Sequence, residues 1–110
     1  MPAADQTWWC YLLRPTRADI LETGPTPEET ELIGAHWAYT TKLHAAGRLA
    51  LAGRATGHGD AFAIIVVNAP SEDAAQQLVT TEPGVAGGLF TAELYPFELM
   101  LVGGVADPAD

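Results

Sequence analysis

The chain has 110 residues, enough for one domain with a sizeable core, and its 48% hydrophobic against 17% charged content argues against disorder. The formal net charge of −9 and the scattering of five basic residues argue against a nucleic-acid partner. The single cysteine permits no internal disulfide, and no apolar run reaches membrane-spanning length, so we expect a cytoplasmic protein without a membrane partner.

The N-terminal part of the chain predicts one strand followed by a surface loop. Residues 7–14 are aromatic and aliphatic, and the run is too short for a buried helix, so we expect the first strand there. Its side chains are apolar on both faces, with Tyr11 on one of them. Residues 15–25 combine two prolines, a glycine and mixed charges, which is typical of a loop.

A capped helix is predicted after this loop. Thr26, Pro27 and Glu29 have the pattern of a capping box at a helix start. Gly47 supplies a left-handed end. Between these signals, His36 shares one helix face with leucine and tyrosine residues spaced three or four apart. We therefore expect His36 to point toward the core and not toward open water.

The second half of the chain adds a second helix and the remaining strands. Three further strands are predicted, at residues 48–53, 61–68 and 89–101. Ser71 and the acidic residues after it predict a helix that ends near Thr81, because the proline after Glu82 disfavours helical backbone at Glu82. Residues 84–88 predict a flexible or single-turn connector, and residues 102–110 a tail.

The order of these elements, βαββαβ, is that of a ferredoxin-like α+β domain with a four-stranded antiparallel sheet and two helices on one face. Strands one and three are central in this topology, which suits their continuous apolar composition, and Pro96 suits the last strand to an edge. The other face of the sheet would then be an open apolar patch. We expect a second copy of the chain to cover it, giving a homodimer with sheet packed on sheet.

Two groups of residues resemble the YCII-related (YciI-like) family over residues 8–101. They are His36 to Tyr39 with Leu43 and residues 45–53, and Glu82–Pro83 with Val85 and residues 87–90 leading into 93–99. The resemblance implies a dimeric α+β barrel and a pocket between helix and sheet centred on a histidine and an aspartate. His36 corresponds to that histidine. Glu82 stands where the family has the aspartate, and Ile33 stands where many relatives have an arginine.

The resemblance also implies a chemistry. The family includes a dehydrochlorinase for a chlorinated hydroxyhydroquinone, and its superfamily includes muconolactone isomerases and small monooxygenases. It therefore implies a cofactor-free enzyme that uses His36 and Glu82 as a general acid/base pair on a small cyclic or aromatic molecule, by isomerisation, elimination or lactone chemistry. Two alternatives stay open. One is a non-catalytic homodimer that binds a small ligand or serves as an accessory protein, favoured by the changes at Glu82 and Ile33; the other is a cofactor-less monooxygenase.

Three further residues are candidates for substrate binding. Tyr39 shares the apolar helix face, although core packing explains it equally well, and Tyr11 lies on the first strand. Arg54, just past the second strand, suits an anionic substrate at a pocket mouth or a surface role. His44 suits a structural position near the helix end, and His58 lies in a glycine turn at a possible pocket rim. The histidines lack ligand spacing, so we expect no metal and no cofactor.

Overall fold

The computed structural model describes residues 7–57 and 61–103, which form four strands and four helical segments. In chain order these are β1 (Trp8–Pro15), α1 (Ile20–Thr23), α2 (Pro27–Ala45), β2 (Leu49–Ala55), β3 (Phe62–Asn68), α3 (Glu72–Thr81), α4 (Pro83–Ala86) and β4 (Phe90–Pro96). The sheet has the order β2-β3-β1-β4, and every neighbouring pair is antiparallel. The central positions of β1 and β3 and the ferredoxin-like α+β fold are therefore confirmed. No helix in the described ranges is long and apolar enough to cross a membrane.

The signals predicted at the ends of the long helix are present as hydrogen bonds. The amide of Glu29 donates to Thr26 Oγ1 at 3.1 Å, and the amide of Thr26 donates to Glu29 Oε1 at 2.8 Å. Gly47, after the helix, has a φ of 74°, in the left-handed region that glycine adopts without strain. Ser71 caps α3 in a similar way, since its Oγ accepts from the amide of Ala74.

The core lies between the helices and one face of the sheet. The alternation of β1 directs every second side chain toward the helices, and its register pairs Trp9 with Val67 and Tyr11 with Ile65 of β3. The buried cluster consists of Trp9, Tyr11, Leu13, Leu43, Ile65, Val67, Ala69, Ala75 and Val79. Because this cluster includes residues of both α2 and α3, the two helices pack on the same face, as the topology predicted.

Several boundaries differ from the sequence predictions. The predicted loop at residues 15–25 contains the single turn α1, whose Ile20 is buried. β2 continues to Ala55, two residues farther than predicted, because pairing with β3 draws residues of low strand propensity into the sheet. Arg54 therefore lies inside the strand and not just past it. β4 ends at Pro96, five residues earlier than predicted, where proline cannot donate to a ladder.

Candidate active site

His36 lies in the middle of α2 on the face that packs toward the sheet, and it is 7% exposed. The Phe90 ring meets the imidazole edge-on, with 5.2 Å between the ring centroids, and the Trp37 ring lies tilted at 5.5 Å. The carbonyl of His36 accepts a hydrogen bond from Thr40 Oγ1 at 2.9 Å. Aromatic packing on two sides therefore restricts the orientation of the imidazole.

Glu82 is the residue at which α3 ends and α4 begins. Pro83 disfavours helical backbone at the residue before it, and Glu82 has an extended conformation with φ −60° and ψ 125°. Its side chain turns back to cap α4, so that Oε1 accepts from the amide of Gly84 at 3.0 Å. The whole residue is buried, with 0% exposure. A break between two helices thus carries a carboxylate into the core.

His36 and Glu82 meet with 2.9 Å between Nδ1 and Oε1, although 46 positions separate them in the chain. A carboxylate accepts hydrogen bonds, so a neutral imidazole at this distance carries its proton on Nδ1 and has a lone pair on Nε2. Nε2 makes no hydrogen bond with any of the described residues. This arrangement, in which a carboxylate orients an imidazole, is suited to general acid/base chemistry.

Two buried polar atoms lack hydrogen-bond partners within the described part of the chain. They are the second carboxylate oxygen of Glu82, Oε2, and the hydroxyl of Tyr11. Burial raises the pKa of Tyr11, and the nearby charges of Tyr39 and Glu82 raise it further. The Tyr11 hydroxyl therefore stays protonated at neutral pH, close enough to Glu82 to experience its charge. A buried polar atom without a hydrogen-bond partner opposes folding. These two atoms therefore lower the stability that the hydrogen bonds around Glu82 provide.

Gly84, two residues after Glu82, has no side chain and therefore leaves room for the ring of Phe90. A Cβ atom built at Gly84 would lie 2.5 Å from the ring of Phe90 and 3.1 Å from Glu82 Oε2. The first of these distances is shorter than carbon atoms tolerate. The absence of a side chain therefore lets Phe90 pack on α4 while the same ring contacts His36.

His36 lines a cavity of about 570 Å³ between α2 and the sheet. Ile33 and Trp37 of α2 contribute to its wall, together with Arg54 of β2 and Phe90 of β4. Trp37 is 58% exposed, which places it at the mouth. Within residues 7–57 and 61–103, no group of three or more His, Cys, Asp and Glu side chains is arranged to hold a metal ion.

The structure brings one of the three substrate-binding candidates to the cavity. Arg54 is in the wall, whereas Tyr11 is enclosed in the core and does not line it. Tyr39 does not line it either, because its hydroxyl donates to the carbonyl of Leu78 at 2.8 Å and so joins α2 to α3. His44 is exposed in the last turn of α2. His58 lies outside the described residues.

The sequence patterns did not predict that the segment between β1 and α2 forms part of the cavity wall. Ile20 and Leu21 line the cavity from α1, and their adjacency in an otherwise polar loop was the available signal. Arg17 holds this segment against the start of α2. Its guanidinium donates to both carboxylate oxygens of Glu29, at 3.1 and 2.7 Å, and to the carbonyl of Gly24 at 2.8 Å.

These features define a ferredoxin-like α+β domain with a buried histidine–carboxylate pair beside a cavity. The model of the YCII-related domain matches residues 8–98, and the chain belongs to this family. A solved structure with a similar fold is 5-chloro-2-hydroxyhydroquinone dehydrochlorinase (TftG) from Burkholderia phenoliruptrix AC1100, in complex with 2,5-dihydroxybenzoquinone. It has 19% sequence identity and a TM-score of 0.61, and the match covers 82% of this chain and 93% of that chain. No curated protein gives a significant match.

Proposed function

We propose that this protein is a cofactor-free enzyme that transfers a proton on a small cyclic or aromatic molecule, with His36 as general base and acid. The observation that carries the proposal is the 2.9 Å contact between Nδ1 of His36 and the fully buried carboxylate of Glu82, on a histidine that lines a cavity. Glu82 holds the Nδ1 proton in place, so Nε2 is the nitrogen that receives the proton of a substrate.

The same base serves two related reactions. Nε2 removes a proton from a ring carbon or hydroxyl, and the Glu82 carboxylate stabilises the imidazolium that forms. Return of the proton to a different atom gives an isomerisation. When the proton comes from a saturated ring carbon, departure of chloride with its bonding electrons from the neighbouring carbon forms a ring double bond and completes an elimination. The similarity to a structure whose printed activity is a dehydrochlorination supports the elimination, and membership of the YCII-related family is consistent with it.

The test uses 5-chloro-2-hydroxyhydroquinone as probe, with released chloride and solvent deuterium incorporation as readouts. We expect His36→Gln to lower the rate by about 10²- to 10⁴-fold, the usual contribution of a positioned acid/base group. Glu82→Gln should lower it less, because the amide keeps the shape of the carboxylate but not its charge. His44→Gln, on an exposed turn of the same helix, is the matched control and should retain the wild-type rate. Equal rates in the His36 and His44 variants would refute the proposal.

A second candidate is a non-catalytic ligand-binding protein, and the mainly apolar wall of the cavity favours it. Binding of 2,5-dihydroxybenzoquinone without turnover of any probe would support this alternative. A cofactor-less monooxygenase would instead consume oxygen in the presence of a quinol, which an oxygen electrode detects. Proton transfer without oxygen consumption is the result that the acid/base proposal predicts.

The proposed enzyme acts as a homodimer through the sheet face that carries no helix, in a cytoplasmic setting suited to its lone cysteine. Leu51 and Tyr95 lie on this face by register and are 50% and 44% exposed. Large exposed apolar side chains on an open sheet favour pairing with a second copy. Sedimentation velocity should therefore give the mass of a dimer for the wild type. It should give that of a monomer for Leu51→Lys combined with Tyr95→Lys, and a monomeric wild type would contradict the assembly.

A further inference from the structure

Arg54 carries a permanent positive charge in the wall of the cavity. The remaining wall residues that the structure describes are apolar side chains, glycine and His36, and none of them is acidic. The register of β2 pairs Arg54 with Ala63 of β3, and Ala63 also contributes to the wall. The strand register and the cavity lining thus each place the Arg54 side chain on the helix-facing side of the sheet.

The other arginines of the described chain have protein partners. Arg14 pairs with Glu93, Arg17 with Glu29 and Asp19, and Arg48 donates to the carbonyl of Asn68. Arg54 makes no ion pair or hydrogen bond with any residue in the ranges 7–57 and 61–103. In a chain with 14 acidic residues and a net charge of −9, an arginine beside an apolar cavity and without a partner in the described ranges suits a bound anion.

The size of the cavity adds a second requirement. A cavity of about 150 Å³ is sufficient for a single benzene ring. The cavity here is about 570 Å³, so it has room for a ring and for a substituent or second ring. Trp37 and Phe90, which pack on the imidazole, provide aromatic surface for a planar ligand at the His36 end.

We propose that the cavity takes a ring compound that carries a carboxylate, with the carboxylate bound by the Arg54 guanidinium and the ring at His36. Arginine recognises carboxylates through two parallel hydrogen bonds, which fixes the orientation of the ligand as well as its charge. Such a contact directs the far end of the ring toward Nε2. The inference rests on the proposed function for the reaction at that end, whereas recognition of the carboxylate does not require catalysis.

The test compares 2-naphthoate with the neutral 2-naphthamide by two-dimensional ¹⁵N NMR titration of the full chain. The wild type should bind naphthoate about tenfold more tightly than naphthamide, the effect of one charge-assisted contact that is partly open to solvent. Arg54→Gln should abolish that preference. Lys42→Gln removes the same charge from an exposed site on α2 and should leave the preference intact. Shifts should concentrate at cavity residues such as Trp37.

Equal affinity of the two probes for the wild type, an unchanged preference in Arg54→Gln, or no binding of naphthoate at millimolar concentration would each overturn the inference. Arg54→Lys keeps the charge without the planar fork and should retain part of the preference, which separates loss of recognition from loss of folding. The preference for naphthoate is measured on the wild type and requires no turnover. A preserved preference together with no proton transfer would therefore reject the proposed function and leave the carboxylate site standing.

Discussion

Helix α2 takes part in two carboxylate pairs that are built in different ways. At its start, Glu29 binds Arg17 through both carboxylate oxygens and also accepts from the amide of Thr26, so each oxygen has a donor. At its middle, His36 binds the buried Glu82, whose second oxygen has no donor among the described residues. The first pair secures the segment that precedes the helix. The second keeps an imidazole nitrogen available beside a cavity.

Burial and the number of hydrogen bonds distinguish a carboxylate pair with a structural role from one that is suited to chemistry. A partly exposed pair in which both carboxylate oxygens accept hydrogen bonds contributes modestly to stability. A buried pair with an unused oxygen opposes folding to some extent, and such groups are often found where a protein carries out chemistry.

Removal of the buried carboxylate should have the largest effect on stability. Glu82→Ala leaves the Nδ1 proton of His36 and the amide of Gly84 without an acceptor, and we expect a loss of about 3 kcal/mol in the free energy of unfolding. Glu29→Ala should cause a much smaller loss, because water can replace the partner of the partly exposed Arg17 guanidinium. Urea denaturation of the two variants measures both values, and similar losses would remove the distinction between the pairs.

The second-largest effect on stability should come from substitution of Gly84. Gly84→Ala forces a methyl group into the Phe90 ring, and we expect a loss of about 1–3 kcal/mol in unfolding free energy. Gly34→Ala, on α2 with open space around the new methyl group, should instead stabilise by about 0.5–1 kcal/mol through helix propensity. Thermal unfolding compares the two variants. A tolerated Gly84→Ala would show that Phe90 does not pack as described.

Removal of the Tyr11 hydroxyl and of the Tyr39 hydroxyl should change the free energy of unfolding in opposite directions. Tyr11→Phe removes a buried hydroxyl that has no partner in the described structure, so we expect a gain of about 1 kcal/mol in unfolding free energy. Tyr39→Phe removes the hydrogen bond to Leu78 and should cost about 1 kcal/mol. Destabilisation by Tyr11→Phe, measured in the same urea series, would mean that its hydroxyl has a partner after all.

The smallest expected effect is a pH dependence of stability at the partly exposed Arg17–Glu29 pair. Arg17 holds the pKa of Glu29 at about 2, below its usual 4.5. The stabilisation is therefore complete above pH 4.5 and is lost as the pH falls from there toward about 2. Glu29→Gln should be less stable than the wild type at neutral pH, and the difference should shrink across that acid range. A constant difference in urea midpoints would contradict the role of the charge.

The sequence predicted the fold through local signals that survive in the structure. The capping residues Thr26 and Glu29, the left-handed Gly47 and the β-branched residues of β3 each specify an element without reference to the rest of the chain. The extent of β2 was not predictable in this way, because pairing with β3 and not local propensity carries the strand to Ala55.

Local sequence patterns predicted only part of the candidate site, because contacts between distant parts of the chain complete it. Helical spacing places His36 on the core-facing side, but the choice of Glu82 as a partner came from the family resemblance, since no local pattern joins residues 46 positions apart. Spacing could not distinguish the enclosed Tyr11 from a cavity residue, because both face the helices. Arg54 was misplaced relative to β2, and only the register of the strand shows which face it occupies.

The proposed reaction depends on Glu82 keeping the proton of neutral His36 on Nδ1, which leaves Nε2 free at the cavity. Long-range ¹H–¹⁵N correlation spectra of the imidazoles, assigned with His36→Gln, His44→Gln and His58→Gln, measure this directly. We expect the neutral His36 ring to have a protonated Nδ1 and an unprotonated Nε2, and the Nε2 signal to shift when a ring compound fills the cavity. A neutral ring protonated on Nε2 would refute the proposed role of His36, because that nitrogen could not act as the base.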